Sequence, residues 1–232
     1  MLVILDPGHG GWDPGGGTNK LWKEKDLTFK ISQYQNRRFQ NLNIPSQMTR
    51  YGDETLTPAQ RVERINSMLV DNTILISNHI NSSGSKGAEV IYSIRNAPTL
   101  AQMIADEIRK TGQTIRNVYT RTNAMGNDYY FILRDTGADE AVLVEYGFAD
   151  NIDDKQRLYF NWPALAEAVV RAVANYVGVP YTAPYYTVHI VRPGESLYTI
   201  AQIYNITVDK LINDNGLISD ELAVGQELFI YQ

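Results

Sequence analysis

Short, almost wholly apolar runs alternate with stretches of helical periodicity along the first three quarters of this chain, and few folds accept that alternation. Residues 2–5, 73–77, 88–92 and 141–145 are each four or five residues long and rich in Ile, Leu and Val, and Ile44 to Met48 reads as a further short strand. That is the signature of short strands buried on both faces. Between them, Leu27, Ile31, Tyr34 and Phe39 recur at helical spacing. Thr57-Pro58 opens a helix through Val62, Ile65 and Leu69, with threonine as the cap and proline at the first helical position. An amphipathic helix is expected over 99–108 and a final one over 163–177. The alternation predicts an α/β fold: a mostly parallel, mixed sheet with helices on both faces.

The pattern breaks at Gly178-Val-Pro-Tyr-Thr-Ala-Pro184, where two prolines within five residues stop a helix and favour an extended link. Beyond it the chain reads strand (186–191), a turn at Arg192-Pro-Gly-Glu195, a helix capped by Ser196, a second helix from Thr207, and a strand (227–231). The division expected is therefore 1–177, a link over 178–184, and a small βααβ module over 185–232. At 232 residues the chain is long enough for one good core plus such a module. Of its net charge of -5, the module carries -4, from two basic and six acidic residues, which leaves the larger domain near neutral. That balance excludes a protein that grips nucleic acid or anionic lipid by bulk electrostatics. No run approaches the roughly 18–20 apolar residues that span a bilayer. The stretch before Asp6 is too short and lacks the basic residues of a secretory leader, so the expectation is a protein made in the cytoplasm.

With no cysteine, a metal site or nucleophile has to come from other side chains, which turns attention to the three histidines. His9 follows the first strand and His79 follows residues 73–77. Positions just past the carboxyl ends of parallel strands line the ligand crevice, so two imidazoles 70 residues apart converge there. Catalytic zinc takes three protein ligands, and without cysteine the third is a carboxylate. Glu24, between the glycine-rich loop and the helix near Asp26, is the first choice; Asp6 and Asp13 are rivals, Asp6 also as a turn acceptor or a partner that orients His9. Glu145 ends a buried strand before Tyr-Gly-Phe148, so low-dielectric surroundings should raise its pKa toward general-base range. Zinc beside such a carboxylate is hydrolytic machinery: the metal polarises a carbonyl and acidifies water, while the carboxylate carries the proton to the leaving amine. The glycine-rich segment lacks the Lys-Ser pair and the spacing of nucleotide-binding loops. His189, on the small module's first strand, is expected to be structural or at the surface, and outside the site.

Four ordered motifs carry a resemblance: Leu5-Asp-Pro-Gly-His9-Gly-Gly-Trp-Asp-Pro-Gly15; Glu24-Lys-Asp-Leu; Arg61 and Asn66 ahead of Ile76-Ser-Asn-His79-Ile-Asn81; and Val142-Leu-Val-Glu145-Tyr-Gly-Phe148-Ala-Asp-Asn151. Over about residues 1–177 the chain resembles the zinc-dependent N-acetylmuramoyl-L-alanine amidases of the amidase 3 type. The resemblance implies one zinc ion held by His9, Glu24 and His79, with Glu145 as the catalytic acid/base. Two departures stand out: Asn78 where an apolar residue is usual, and Ala138-Asp-Glu-Ala141 where a Met-Pro-Ala step is common. The module, with Tyr186 to Ala201, Tyr204 to Leu211, Asn215-Gly-Leu217 and Val224-Gly-Gln226, resembles a LysM domain, which implies a glycan groove over 193–199 and 215–222. Together the resemblances imply a monomeric peptidoglycan hydrolase that cuts between N-acetylmuramic acid and L-alanine and is anchored to the wall by LysM. Neither nucleic acid nor membrane is a partner in this reading. Action follows release from the producing cell, as for a phage lysin or a sporulation or autolytic amidase. The alternatives are a zinc carboxypeptidase or peptidase on stem peptides and a non-catalytic peptidoglycan-binding protein.

Overall fold

The computed structural model describes residues 1–231. In chain order the elements are β1 (Leu2–Pro7), α1 (Glu24–Asn41), β2 (Ser46–Met48), α2 (Pro58–Met68), β3 (Thr73–Asn81), β4 (Ala88–Tyr92), α3 (Thr99–Lys110), β5 (Ile115–Tyr119), α4 (Phe131–Arg134), β6 (Glu140–Phe148), α5 (Ile152–Tyr176), β7 (Tyr186–Ile190), α6 (Leu197–Tyr204), α7 (Val208–Asn215) and β8 (Glu227–Tyr231). Six strands make one sheet in the order β2-β1-β3-β6-β4-β5, and β7 and β8 form a separate antiparallel pair. Every neighbour pair in the large sheet is parallel except β4 beside β6. The mixed, mostly parallel α/β sheet is as the alternation of strands and helices requires.

Side-chain alternation splits the sheet's residues between two apolar layers. Val3, Leu5, Ile74, Ile76, Val142 and Val144 pack in the layer that holds α1, α3 and α5. Leu2, Ile4, Leu75, Ala141 and Leu143 pack on the opposite face, against Ile65 of α2 and Ile132 and Leu133 of α4. Carrying the parity forward puts Asp6, Ser77, His79 and Glu145 on that second face, at the carboxyl ends of β1, β3 and β6. There α2 offers Arg61 rather than an apolar residue, and the strand ends are free to carry polar chemistry.

Three elements depart from expectation. The last helix of the large domain begins at Ile152, not at Pro163, which sits inside it. Its true start is marked by Asn151, whose side chain accepts from the Asp153 and Asp154 backbone N–H groups. The first two turns are too polar to show a stripe, which is why the proline looked like a beginning. β5 is an edge strand with only partly buried side chains, and α4 is four residues long; neither buries enough to leave a periodicity.

In the small unit, Ser196 and Thr207 cap α6 and α7, and Val191, Leu197, Ile200, Ala201, Leu211, Leu228 and Ile230 form its core. Tyr186, Val188 and Ile190 of β7 join the large core. The segment between the two units is strapped down: the Arg38 guanidinium donates to Glu167 at 2.9 and 3.0 Å and to the Thr182 carbonyl at 2.7 Å, and the Tyr181 hydroxyl donates to Glu167 at 2.8 Å.

Candidate functional site

β1 delivers the chain into the loop that carries His9, whose backbone takes a left-handed φ of 61°. Such a conformation costs a non-glycine residue free energy and persists only where contacts enforce it. Here Arg61 donates to the His9 carbonyl at 2.8 Å, and Asp13 accepts from Nδ1 at 2.7 Å, which turns Nε2 inward. Glu24 is the first residue of α1. Its Oε2 accepts from the Gly17 N–H at 2.7 Å, while Oε1 accepts from the Ile80 N–H at 2.9 Å. That same Oε1 lies 3.1 Å from His9 Nε2 and 3.3 Å from His79 Nδ1. The two imidazoles stand edge to face with centroids 5.2 Å apart. Two glycines leave the room for this: a Cβ at Gly8 would lie 2.4 Å from the His79 ring, and one at Gly15 would lie 2.4 Å from Glu24 Oε2.

The sequence candidates thus separate. His9, Glu24 and His79 come together, each offering a ligand atom within 4.8 Å of the others. Asp13 reaches His9 alone. Asp6 is buried behind the cluster, where it accepts from Arg61 at 2.6 Å, Thr49 at 2.7 Å and Ser77 at 2.8 Å. Glu145 pairs in register with His79 across the β3–β6 ladder. His189 lies apart, with Nε2 on Glu195 at 2.7 Å and Nδ1 on the Tyr204 hydroxyl at 3.1 Å.

Charge sorts these groups further. Burial disfavours charge on Glu24, yet hydrogen bonds from His79 and His9 hold its carboxyl far below the ordinary carboxylate range. Burial also works against the His9 imidazolium, but the Glu24 and Asp13 carboxylates outweigh it and raise His9 to about 9. Cations and protons are thus drawn to the same point, as at a site where a metal displaces protons from its ligands. Glu145 goes the other way. Burial of its carboxyl pushes it up to about 7, against the pull of His79 and with help from Glu24 and Glu89. Its Oε2 is buried and has no hydrogen-bond partner among the described residues.

Glu89 escaped the sequence reading, and Asn78 figures there only as a departure, without a role. Glu89 faces Glu145 across the antiparallel β4–β6 pair, held by Arg116 and by Asn81 at 3.2 Å. A charged residue inside an otherwise apolar strand was its signal, the same signal that exposed Glu145. Asn78 donates to Ser32 and Gln35 at 2.8 Å and accepts from the Tyr146 hydroxyl at 2.8 Å. This buried network ties α1, β3 and β6 together one residue from His79 and one from Glu145. It also gives the asparagine at position 78 a purpose that an apolar residue could not serve.

A parallel-stranded sheet that gathers two imidazoles and a carboxylate at its carboxyl edge, with a second, proton-loving carboxylate beside them, is the framework of a metal-assisted hydrolase. Comparison narrows the class. The chain belongs to the N-acetylmuramoyl-L-alanine amidase family, whose Amidase_3 model matches residues 3–175, and residues 189–230 match the LysM domain. It is 32% identical over 180 residues to the N-acetylmuramoyl-L-alanine amidase CwlM of Bacillus licheniformis, covering 75% of this chain and 66% of that protein. To the sporulation-specific N-acetylmuramoyl-L-alanine amidase of Bacillus subtilis it is 30% identical over 178 residues, again covering 75% and 66%. The chain thus spans just under two thirds of these curated relatives. Among solved structures, the N-acetylmuramoyl-L-alanine amidase AmiC2 of Nostoc punctiforme superposes with a TM-score of 0.67 at 26% identity, covering 77% of this chain and 97% of that one. The family is generally zinc-dependent, and the His-Glu-His group here could hold a metal ion. No helix among the described residues is long and apolar enough to cross a membrane.

Proposed function

We propose that this chain hydrolyses peptidoglycan at the amide between the lactyl group of N-acetylmuramic acid and the L-alanine of the stem peptide. The catalytic part is residues 1–177; residues 178–184 link it to a wall-binding LysM module over 185–232. The observation that carries the reading is the convergence of His9, Glu24 and His79 beside a buried, partnerless Glu145 oxygen. The donor set fits zinc: two imidazole nitrogens and one carboxylate, with no thiolate in the chain. His9, Glu24 and His79 would hold one zinc ion, which when bound supplies Lewis-acid polarisation of the scissile carbonyl and a more acidic water.

The protein's own residues do the rest. Asp13 and Arg61 fix the His9 ring and backbone, so that Nε2 stays turned to Glu24. Glu145, near 7, takes a proton on its free oxygen from the water that attacks the lactyl carbonyl carbon. As the carbon–nitrogen bond breaks, Glu145 returns that proton to the departing alanine nitrogen, leaving a lactyl carboxylate and a free L-alanine amine. Burial serves both steps, because a group poised near neutrality both accepts and donates.

Mass spectrometry of digested sacculi tests the reading: stem peptides should appear with a free L-alanine amino terminus. New termini inside the stem peptide would instead show a peptidase. Glu145→Gln should lower turnover by about two to four orders of magnitude while zinc content and sedimentation with sacculi stay at wild-type levels. Undiminished hydrolysis by that variant would remove Glu145 from the mechanism.

A further inference from the structure

The tip of the His9 loop carries a feature that the reaction above leaves unused. Of the chain's three tryptophans, Trp162 is buried and Trp22 is half-buried against Tyr159, but Trp12 is 95% exposed. Its backbone is not loose. Gly10 and Asp13 exchange two backbone hydrogen bonds, at 3.1 and 3.2 Å, leaving Gly11 and Trp12 as the tip of a two-residue hairpin. Side chains from elsewhere fasten that tip: Asp53 accepts from the Gly11 N–H at 2.7 Å, Thr55 accepts from the Trp12 N–H at 3.0 Å, and Lys25 donates to the Gly11 carbonyl at 2.8 Å. Lys25 in turn is bound to Asp53 at 2.6 Å. A large flat apolar ring is thus held out into water on a rigid mount.

The hairpin's stem fixes where the ring stands. Asp13, at its base, holds His9, and three peptide units bound the Trp12 Cα to within about 11 Å of the His9 Cα. Resting on the amidase reading, we propose that Trp12 is a carbohydrate subsite: its indole stacks against a sugar ring of the glycan strand adjoining the muramyl residue under attack. The chemistry favours sugar over stem peptide. A pyranose presents a flat face of C–H groups that suits the electron-rich indole face, and its hydroxyl rim stays hydrated at so exposed a position. On the peptide side the residue next to the scissile bond is alanine, whose methyl covers little of an indole. Because the mount is already rigid, binding orders few degrees of freedom, and the contact is retained as affinity.

The test reads Trp12 itself. Three indole N–H signals are expected in a nitrogen–proton NMR spectrum of the full chain, and Trp12→Phe identifies one by its loss. Titration with peptide-free glycan strands should move the Trp12 signal and leave those of Trp22 and Trp162 in place. A Trp12 signal unmoved at glycan concentrations that saturate the LysM module, or one that moves with free stem peptide and not with glycan, overturns the subsite. In turnover, Trp12→Ala should raise KM on glycan-linked substrate by roughly three- to tenfold, more than it lowers kcat, with Trp12→Phe recovering most of the loss. KM within error of wild type for Trp12→Ala also overturns it. Failure of the wild-type chain to release L-alanine amines would defeat the amidase reading alone, since the indole signal reports sugar contact without turnover.

Discussion

The molecule contains two histidine–glutamate clusters that look alike in a list of distances and differ in kind. In the small unit, His189 spends both ring nitrogens inside the fold, on Glu195 and on the Tyr204 hydroxyl. At the sheet's carboxyl edge, one oxygen of Glu24 faces two imidazole nitrogens at 3.1 and 3.3 Å. The first arrangement is complete as it stands: both ring nitrogens have partners, and the only other donor to the Glu195 oxygen among the described residues is the neutral backbone N–H of nearby Arg192. The second gathers two rings on one buried carboxylate oxygen, an arrangement that favours a shared cation in their midst. A short histidine–carboxylate contact is therefore a poor mark of a metal site, whereas convergence of independent chain segments on one oxygen is a good one. It takes β1, β3 and the start of α1 to make the sheet-edge cluster, while the sixteen residues from His189 to Tyr204 suffice for the one in the small unit.

The largest effect expected follows from that contrast. His79→Ala or Glu24→Gln should empty the protein of bound zinc and cut amide hydrolysis by more than about a hundredfold, beyond the usual loss for an outer partner of a ligand. His189→Ala should leave zinc content and turnover on small soluble substrates at wild-type levels. Chelation should reproduce the first result in the wild-type chain, and added zinc should reverse it, while sedimentation with sacculi persists throughout. Metal analysis of purified variants, run beside the turnover assay, decides the matter. The contrast collapses if the His189 variant is the one that loses zinc.

How much of this was legible before any coordinates depended on whether local or distant partners set each feature. The strands were legible because burial on both faces leaves apolar runs; His9, His79 and Glu145 stood out as polar residues at or just past the ends of such runs, and Glu24 as the carboxylate between the glycine-rich loop and the first helix. Where a feature rests on partners remote in sequence, the signal faded. Glu89 becomes part of the site only because β4 returns antiparallel beside β6. The sequence points to Asp6 as a partner that orients His9 and to Asp13 only as a rival ligand, but the turn at Gly10 sends Asp13 to the ring while Arg61 keeps Asp6 below. The start of α5 was hidden by a proline that the helix tolerates at a buried position.

The support beneath the two clusters differs as well, and this yields an intermediate effect. The His9 turn rests on the buried Asp6–Arg61 pair, with Asp6 fully enclosed. Burial opposes the Asp6 charge, but Arg61, Thr49 and Ser77 outweigh it and hold the carboxyl below its ordinary value. A carboxyl depressed on folding contributes stability that is present above its unfolded pKa, near 4, and is lost as the pH falls through the folded value. The wild-type chain should therefore lose stability on acidification below about pH 4. Asp6→Asn should flatten that acid limb, while at neutral pH it costs on the order of 3–5 kcal/mol because Arg61 is left buried and unpaired. Denaturant unfolding across a pH series measures both. An acid limb of unchanged slope in Asp6→Asn would assign it to other carboxylates.

The smallest effect belongs to the small unit, whose histidine cluster bridges β7, the following turn and α6. Glu195 also accepts from the Arg192 N–H at 2.7 Å, so it keeps one partner when His189 is removed, and Tyr204 is exposed enough for water to replace the other contact. The cost of His189→Ala should then be near that of an ordinary exchangeable hydrogen bond, about 1 kcal/mol, or roughly 2–4 °C in Tm for a chain of this size. Because Tyr186, Val188 and Ile190 of the same strand pack into the large core, the loss should be felt in one shared transition rather than as separate melting of the module. Calorimetry distinguishes the outcomes. Two resolved transitions in the variant would mean that the His189 cluster, and not the apolar face of β7, couples the module to the catalytic body, and the two clusters would then be closer in importance than their geometry implies.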